Sequence, residues 1–320
     1  MIKTKKYMII TIALVLLSLC LWYYLAGGTL IRLQINVVDE LGNPVENVLV
    51  TGYFDDSRKQ YGGGKRINLI TDKAGQCSII GVARAFVGLR LRKNGYYETS
   101  YRQFILRNGD NVKKKITVVI KKMKNQVAMQ ARNVELTFPE LEKYYPFDCD
   151  VGDWVEPYGN GKKSHIYIYY CGRFKDMFTG DSILKIKTED KDAGFQISEF
   201  DEYSTFRSMY LAPTNNYTNV LEFITQETKT EVIKNTSLKD NQYIIFKVQN
   251  STNSTMYNYG KIYYDINYGP YDGDITNCKV WFTYYYNPTP NDRNLEFDPK
   301  QNLIKTYDKR GRDMSDQFRP

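Results

Sequence analysis

The chain has 320 residues, a formal charge of +8, 28 tyrosines and a single histidine. One histidine excludes every site that needs two, such as an H-E-x-x-H zinc centre, and any Ser-His-Asp or Cys-His catalyst would have to use that residue, His165. The length suggests two domains, and the tyrosine content fits the half-buried pleated surfaces of a mainly β protein.

At the N-terminus, Lys3, Lys5 and Lys6 precede an uncharged run from Tyr7 to Ala26. Crossing a bilayer as a helix takes roughly 20 apolar residues, and leading lysines keep their end cytoplasmic. Trp22, Tyr23 and Tyr24 stand at the far end of the run, as interfacial aromatics do. Residues 1–28 are therefore expected to be a cytoplasmic basic end and a transmembrane anchor. The bulk of the chain would be periplasmic or extracellular, held by a single pass. A cleaved signal segment is the alternative, with Ala26-Gly27-Gly28 as the cleavage region. Cys20 follows the bulky Leu19 and reads as an apolar residue of the span rather than a lipidation site.

Residues 29–125 follow as a first β domain. Leu33, Ile35 and Val37 alternate with Arg32, Gln34 and Asn36, the period-2 mark of a half-buried strand. Gly42-Asn43-Pro44 supplies a turn, and Val45, Val48 and Val50 predict a second strand. Thr71–Gly75 reads as a tight turn into a strand at Cys77–Ile80. Phe86–Arg92 is another strand, turned by Asn94-Gly95, and Ile116–Ile120 is the last. Short strands at this spacing argue for a sandwich. Residues 1–126 carry 21 Lys+Arg against 8 Asp+Glu, and the remainder 23 against 28. A basic first domain favours anionic partners, although charge runs such as Lys113–Lys115 also serve as solvated faces.

The segments VVDELGNPVENVLV, TDKAGQCSIIGV and VGLRLRKNGYYET resemble the carboxypeptidase regulatory-like domain. The matching residues are Asp39, Gly42, Pro44, Val45, Val48 and Val50, then Thr71, Asp72, Gly75 and Ile79, then Gly95 and Tyr96. Cys77 stands where that family usually has an aromatic residue. The resemblance implies a transthyretin-like β-sandwich over about residues 33–121 that serves as an accessory or interaction module. These are turn and core residues, so the pattern implies a fold and no chemistry. The zinc carboxypeptidases that often carry the module need two histidines for metal, which this chain lacks. The order of this module, a β-rich domain and YYYNPTPNDRNLEFD is similar to that of a group of exported bacterial proteins.

Residues 126–300 are expected to form a second, antiparallel β-sandwich. Asn125–Asn133 reads as a polar connector and Leu141–Tyr145 as one helical turn. Strands are expected at Val134–Phe138, His165–Tyr170, Ile183–Lys187, Gly194–Phe200, Val220–Thr225, Tyr243–Val248, Gly260–Asn267 and Lys279–Tyr286. Pro288 and Pro290 stop the last of these. Residues 301–320 are expected to be a polar, frayed tail.

No P-loop, G-x-G-x-x-G or G-x-S-x-G motif occurs, and no cofactor is implied. Asp148, Asp150, Asp153 and Glu156 cluster in one loop and are the best candidates for a hard cation, which takes several oxygen ligands. Cys77, Cys149, Cys171 and Cys278 allow three disulfide pairings. Cys149–Cys171 closes a short loop and is the first candidate, worth roughly 3 kcal/mol if unstrained. Trp154, Tyr263, Tyr268 and Trp281 are candidates for an aromatic ligand platform. The expected function is a membrane-anchored envelope binding or scaffolding protein, with residues 7–26 in the membrane, an envelope polysaccharide or protein as partner, and no nucleic acid. The alternative is a polysaccharide hydrolase that uses Glu199, Asp201 and Glu202 of the second domain.

Overall fold

The computed structural model describes residues 28–55, 64–104, 112–176, 179–201, 203–234, 238–239, 241–305 and 317–320. The expected membrane segment lies outside the described residues. The protein is mainly β and divides into two compact units. One comprises Met1–Met123 with Tyr203–Thr205, and the other Lys124–Glu202 with Phe206–Pro320.

The first unit contains β1 (Thr29–Val38), β2 (Leu49–Phe54), β3 (Lys65–Ile70), β4 (Gln76–Ala83), β5 (Phe86–Arg92), β6 (Thr99–Phe104) and β7 (Val112–Val119). They form a three-stranded sheet, β4-β1-β7, and a four-stranded sheet, β3-β2-β5-β6. Alternation sends Ile31, Leu33, Ile35 and Val37 of β1 inward, where they meet Val50, Phe54, Leu89 and Leu91. Val45 and Val48 are buried as expected of core residues, but they lie in the connection before β2, so that strand starts later than the valine spacing predicts.

The turn residues have visible work. Asp39 accepts hydrogen bonds from the amides of Leu41 and Asn43, and Asp72 from those of Ala74 and Gln76. The buried Thr71 hydroxyl accepts from the Val48 amide and donates to the Val45 carbonyl. Gly75 has φ +71°, and a Cβ there would stand 2.4 Å from the Val37 carbonyl oxygen, so glycine alone fits. Strands β3 and β6 are hidden in the sequence because the exposed Lys65, Arg66, Asn68, Ser100 and Arg102 interrupt the apolar pattern.

The second unit contains β8 (Val127–Thr137), β9 (Tyr144–Asp148), β10 (Asp153–Trp154), β11 (Ile166–Asp176), β12 (Thr179–Lys187), β13 (Gly194–Glu199), β14 (Val220–Glu227), β15 (Val232–Lys234), β16 (Gln242–Gln249), β17 (Tyr257–Tyr271), β18 (Asp274–Asn287) and β19 (Phe297–Asn302). Two six-stranded sheets result, β10-β9-β11-β12-β14-β15 and β13-β16-β17-β18-β8-β19. Ile166, Ile168, Tyr170, Leu184 and Phe223 of the first pack with Phe246, Ile262, Val280, Phe282 and Tyr284 of the second.

Strand β16 is buried at five of its eight positions, four of them in succession, which needs cover on both faces. Ile244, Phe246 and Val248 join the main core, while Tyr243 and Ile245 join a second cluster with Tyr263, Tyr285, Leu295, Phe297 and Phe318. Three expectations are corrected here. The segment read as a polar connector enters β8 and buries Met129 and Ala131. The segment read as a helical turn leads into β9. Within the segment read as a frayed tail, Phe318 is 4% exposed and its ring lies 6.3 Å from that of Tyr285. An aromatic ring in a polar stretch finds burial only where tertiary structure leaves a socket.

Candidate functional site

The acidic loop after β9 is organised around Asp148, which is 1% exposed. Its Oδ1 accepts from the Asp150 amide at 2.9 Å, and its Oδ2 from the Lys162 and Lys163 amides at 2.9 and 3.0 Å. Burial acts to raise the carboxyl, and the adjacent His165 imidazole with the Lys162 and Asp150 amides outweighs it, holding Asp148 at about 2. His165 Nδ1 faces opposing demands: the Cys149 amide donates to it at 3.1 Å, and Asp148 Oδ1 lies 3.4 Å away. Three backbone amides and the adjacent imidazole together anchor the carboxylate.

Of the four expected cation ligands, only Asp148 and Asp150 converge, and they do so with His165, their ligand atoms lying within 4.8 Å of one another. Asp153 turns to its own loop, accepting from the Trp154 amide at 2.8 Å and from both the amide and the side chain of Asn160. Glu156 is exposed. Asp150 is ion-paired to Lys163 Nζ at 3.0 Å. A cation would have to displace that ammonium and compete with three amides, so the arrangement acts as a loop clasp.

The expected Cys149–Cys171 disulfide is absent, and both thiols are free. Cys149 donates its amide to His165 at one end of the β9–β11 ladder, while Cys171 lies six residues beyond His165 along β11. Six extended residues span about 20 Å, whereas bridged Cα atoms lie roughly 4.4–6.8 Å apart. Burial pushes the Cys149 thiol well above its ordinary range, and the charges of Asp148 and Asp150 add to this. The short loop in sequence is thus opened by strand pairing.

The four expected platform aromatics also separate. Trp154 is core, and its indole Nε1 donates to the Thr137 carbonyl at 2.8 Å. Tyr263 is buried in the second cluster, and its hydroxyl accepts from the Ser208 amide. Tyr268 packs on the main core, with its hydroxyl 2.8 Å from Thr225 Oγ1. Trp281 alone stands half-buried on an outer face, paired with Asn267 of β17 and Glu135 of β8. Of the expected hydrolytic carboxylates, Glu199 is exposed, Asp201 follows the buried Phe200, and Glu202 lies outside the described residues.

A different aromatic row does reach solvent. On the outer face of β9-β11-β12-β14, the register aligns Tyr144, Tyr169, Lys185 and Glu222 across four strands, and Tyr167 with Lys187 in the next row. The Tyr144 and Tyr169 rings are 5.1 Å apart. Lys187 Nζ lies 4.3 Å from the Tyr144 ring centre and 5.5 Å from that of Tyr167, and Lys185 pairs with Glu222 at 2.5 Å. The alternation of HIYIYY already separated Tyr167 and Tyr169 from the inward isoleucines. Tyr144 could join them only through strand pairing. Three rings bordered by ammonium and carboxylate groups can stack on the apolar face of a flat ligand and hydrogen-bond its polar edge.

No family model matches the chain, and no curated protein matches it. Among solved structures it is similar to the 3-chlorocatechol 1,2-dioxygenase of Rhodococcus opacus 1CP at 12% identity and a TM-score of 0.25, over 30% of this chain and 60% of that one. The chain thus spans about 60% of the length of the chlorocatechol dioxygenases it matches. A streptococcal ancillary pilin matches at 13% identity and a TM-score of 0.21, over 80% of this chain and 58% of that one. The shaft pilin SpaA of Lactobacillus rhamnosus GG matches at 12% identity and a TM-score of 0.20, over 77% and 92%. Likenesses this loose do not bear on function.

Proposed function

We propose that this chain is a membrane-anchored, exported binding protein of the cell envelope, and that its second unit holds polysaccharide on the outer face of β9-β11-β12-β14. The basic start and the uncharged run Tyr7–Ala26 support anchoring and export. The first unit is read as a regulatory-like accessory module, in keeping with the turn and core roles of Asp39, Thr71, Asp72 and Gly75. The observation that carries the binding reading is the solvent-facing row of Tyr144, Tyr169 and Tyr167 beside Lys185, Lys187 and Glu222. Pyranose rings offer an apolar face to such a row and hydroxyls to its polar border.

The test is retention of the full-length chain, purified in detergent, on arrayed envelope glycans. Wild type is expected to be retained without consuming the glycan, and Tyr144→Ala with Tyr169→Ala is expected to lose at least about 1.4 kcal/mol, or tenfold, in affinity. Retention that survives the double substitution would remove the platform from the reading. Release of new reducing ends would replace binding with hydrolysis.

A further inference from the structure

The first unit presents a second surface of different chemistry. In β3-β2-β5-β6, Val50, Phe54, Leu89 and Leu91 face the core, so their neighbours face outward. The outward positions include Arg66 of β3, Tyr53 of β2, Gly88 of β5 and Arg102 of β6, paired in one row across all four strands. Arg90 and Arg92 follow Gly88 at two-residue steps on the same face. Four arginines thus share one sheet face, and all four are exposed. Glu98 bridges Arg90 and Arg92, with each Nε 3.1 Å from the carboxylate. Residues 29–126 carry 18 Lys+Arg against 8 Asp+Glu, so the surrounding field has the same sign.

Aromatic rings lie among these cations. The Tyr53 and Phe86 ring centres are 6.0 Å apart, and the Arg102 guanidinium lies 4.6 Å from the Phe86 ring centre. Gly88, between Tyr53 and Arg102, has no side chain and leaves bare backbone at the middle of the row. A Cβ at Gly88 would meet Phe86 Cε2 at 3.7 Å, an ordinary contact, so packing does not demand glycine there. Arg66 and Arg102 are three strand spacings apart, about 14 Å. Each guanidinium offers a planar fork that matches the two free oxygens of a phosphodiester.

We infer that this face binds a linear, base-free polyanion with repeating phosphates. Arg66 and Arg102 hold two of its phosphates, Arg90 holds a third, and the intervening chain crosses the floor at Gly88. The charge complementarity is local, and the aromatic walls with a bare floor fit a single strand of polymer better than a planar lipid surface. The inference is independent of the polysaccharide reading of the second unit.

The experiment uses the full-length chain in nanodiscs of zwitterionic lipid, with fluorescent inorganic polyphosphate as the probe. Three phosphate contacts on a flexible strand give a log–log salt slope near −2, or roughly a twentyfold loss of affinity between about 50 and 200 mM salt. Arg66→Gln with Arg102→Gln is expected to reduce that slope to about −0.7. Gly88→Val, whose Cβ would stand at an ordinary 3.7 Å from Phe86, is expected to weaken binding several-fold with the slope unchanged. Wild-type binding without salt dependence overturns the inference, and so does a double variant with wild-type affinity and slope. Stronger binding to an oligothymidine strand would reassign the face to nucleic acid. Displacement of polyphosphate by phosphatidylglycerol vesicles at equal phosphate would reassign it to a membrane surface. Should the double variant fail to fold, as judged by circular dichroism, the wild-type slope and Gly88→Val decide the matter.

Discussion

Replacing Asp148 with asparagine tests whether the acidic loop is a clasp that stabilises the second unit. In the folded protein the carboxyl titrates at about 2, against an ordinary 3.8. A difference of nearly two pKa units corresponds to about 2 kcal/mol. Because the folded value is the lower one, that stability is fully present above pH 3.8 and is lost as the pH falls through about 2. The substituted side chain would keep one acceptor oxygen, but its amide would turn donors toward either the Asp150 amide or the Lys162 and Lys163 amides. The assay is urea denaturation followed by tryptophan fluorescence, since Trp154 lies in the same core and donates to Thr137. At pH 7 the variant should be less stable by about 2 kcal/mol, or some 4–8 °C in melting temperature for a unit of this size. The gap should close as the pH falls toward 2. A deficit under about 0.5 kcal/mol at pH 7, within the range of ordinary surface substitutions, would refute the clasp, as would a gap that stays constant into acid.

Phe318→Ala should destabilise the second unit by about 3 kcal/mol, the cost of emptying an aromatic site, which chemical denaturation would measure; a neutral result would mean that the 317–320 segment is not held by its ring. Thiol labelling without denaturant should modify the half-exposed Cys171 well before the buried Cys149, and a reductant should leave the melting temperature unchanged. A fall in melting temperature with reductant would show a bridge. Gly75→Ala should cost the first unit more than about 1 kcal/mol, because it needs φ +71° and meets the Val37 carbonyl at 2.4 Å; Gly88→Ala, at ordinary contact distance, should cost less, and thermal melts of the two variants would rank them.

Several parts of the fold were readable in the residue order because local physics determines them. Strand β5 was read with its observed limits, and β12, β13, β14, β16 and β18 were each located, because their alternation is a property of the strand alone. Strand β3 was missed, since its alternation runs between polar, basic and partly buried residues. The candidate platform failed for a general reason. Period-2 alternation says that half of the tyrosines turn inward without saying which half faces a second layer of protein. Tyr263 and Trp281 share the outer face of their sheet, yet only Tyr263 is covered by the segments that carry Phe200, Leu295 and Phe318.

What the sequence by itself determined is local: the turns at Asp39–Asn43 and Asp72–Gly75, the alternating strands, the single histidine and the excess of basic residues at the start. Each follows from bonds and sterics within a few residues. What only the tertiary structure decided is adjacency between strands. It carried Cys171 about 20 Å from Cys149, brought His165 to Asp148 and Asp150, set Tyr144 beside Tyr169, and aligned Arg66, Tyr53, Gly88 and Arg102 in one row. Pairing joins residues tens of positions apart, and the register that chooses their partners depends on burial of the whole sheet face rather than on any short segment.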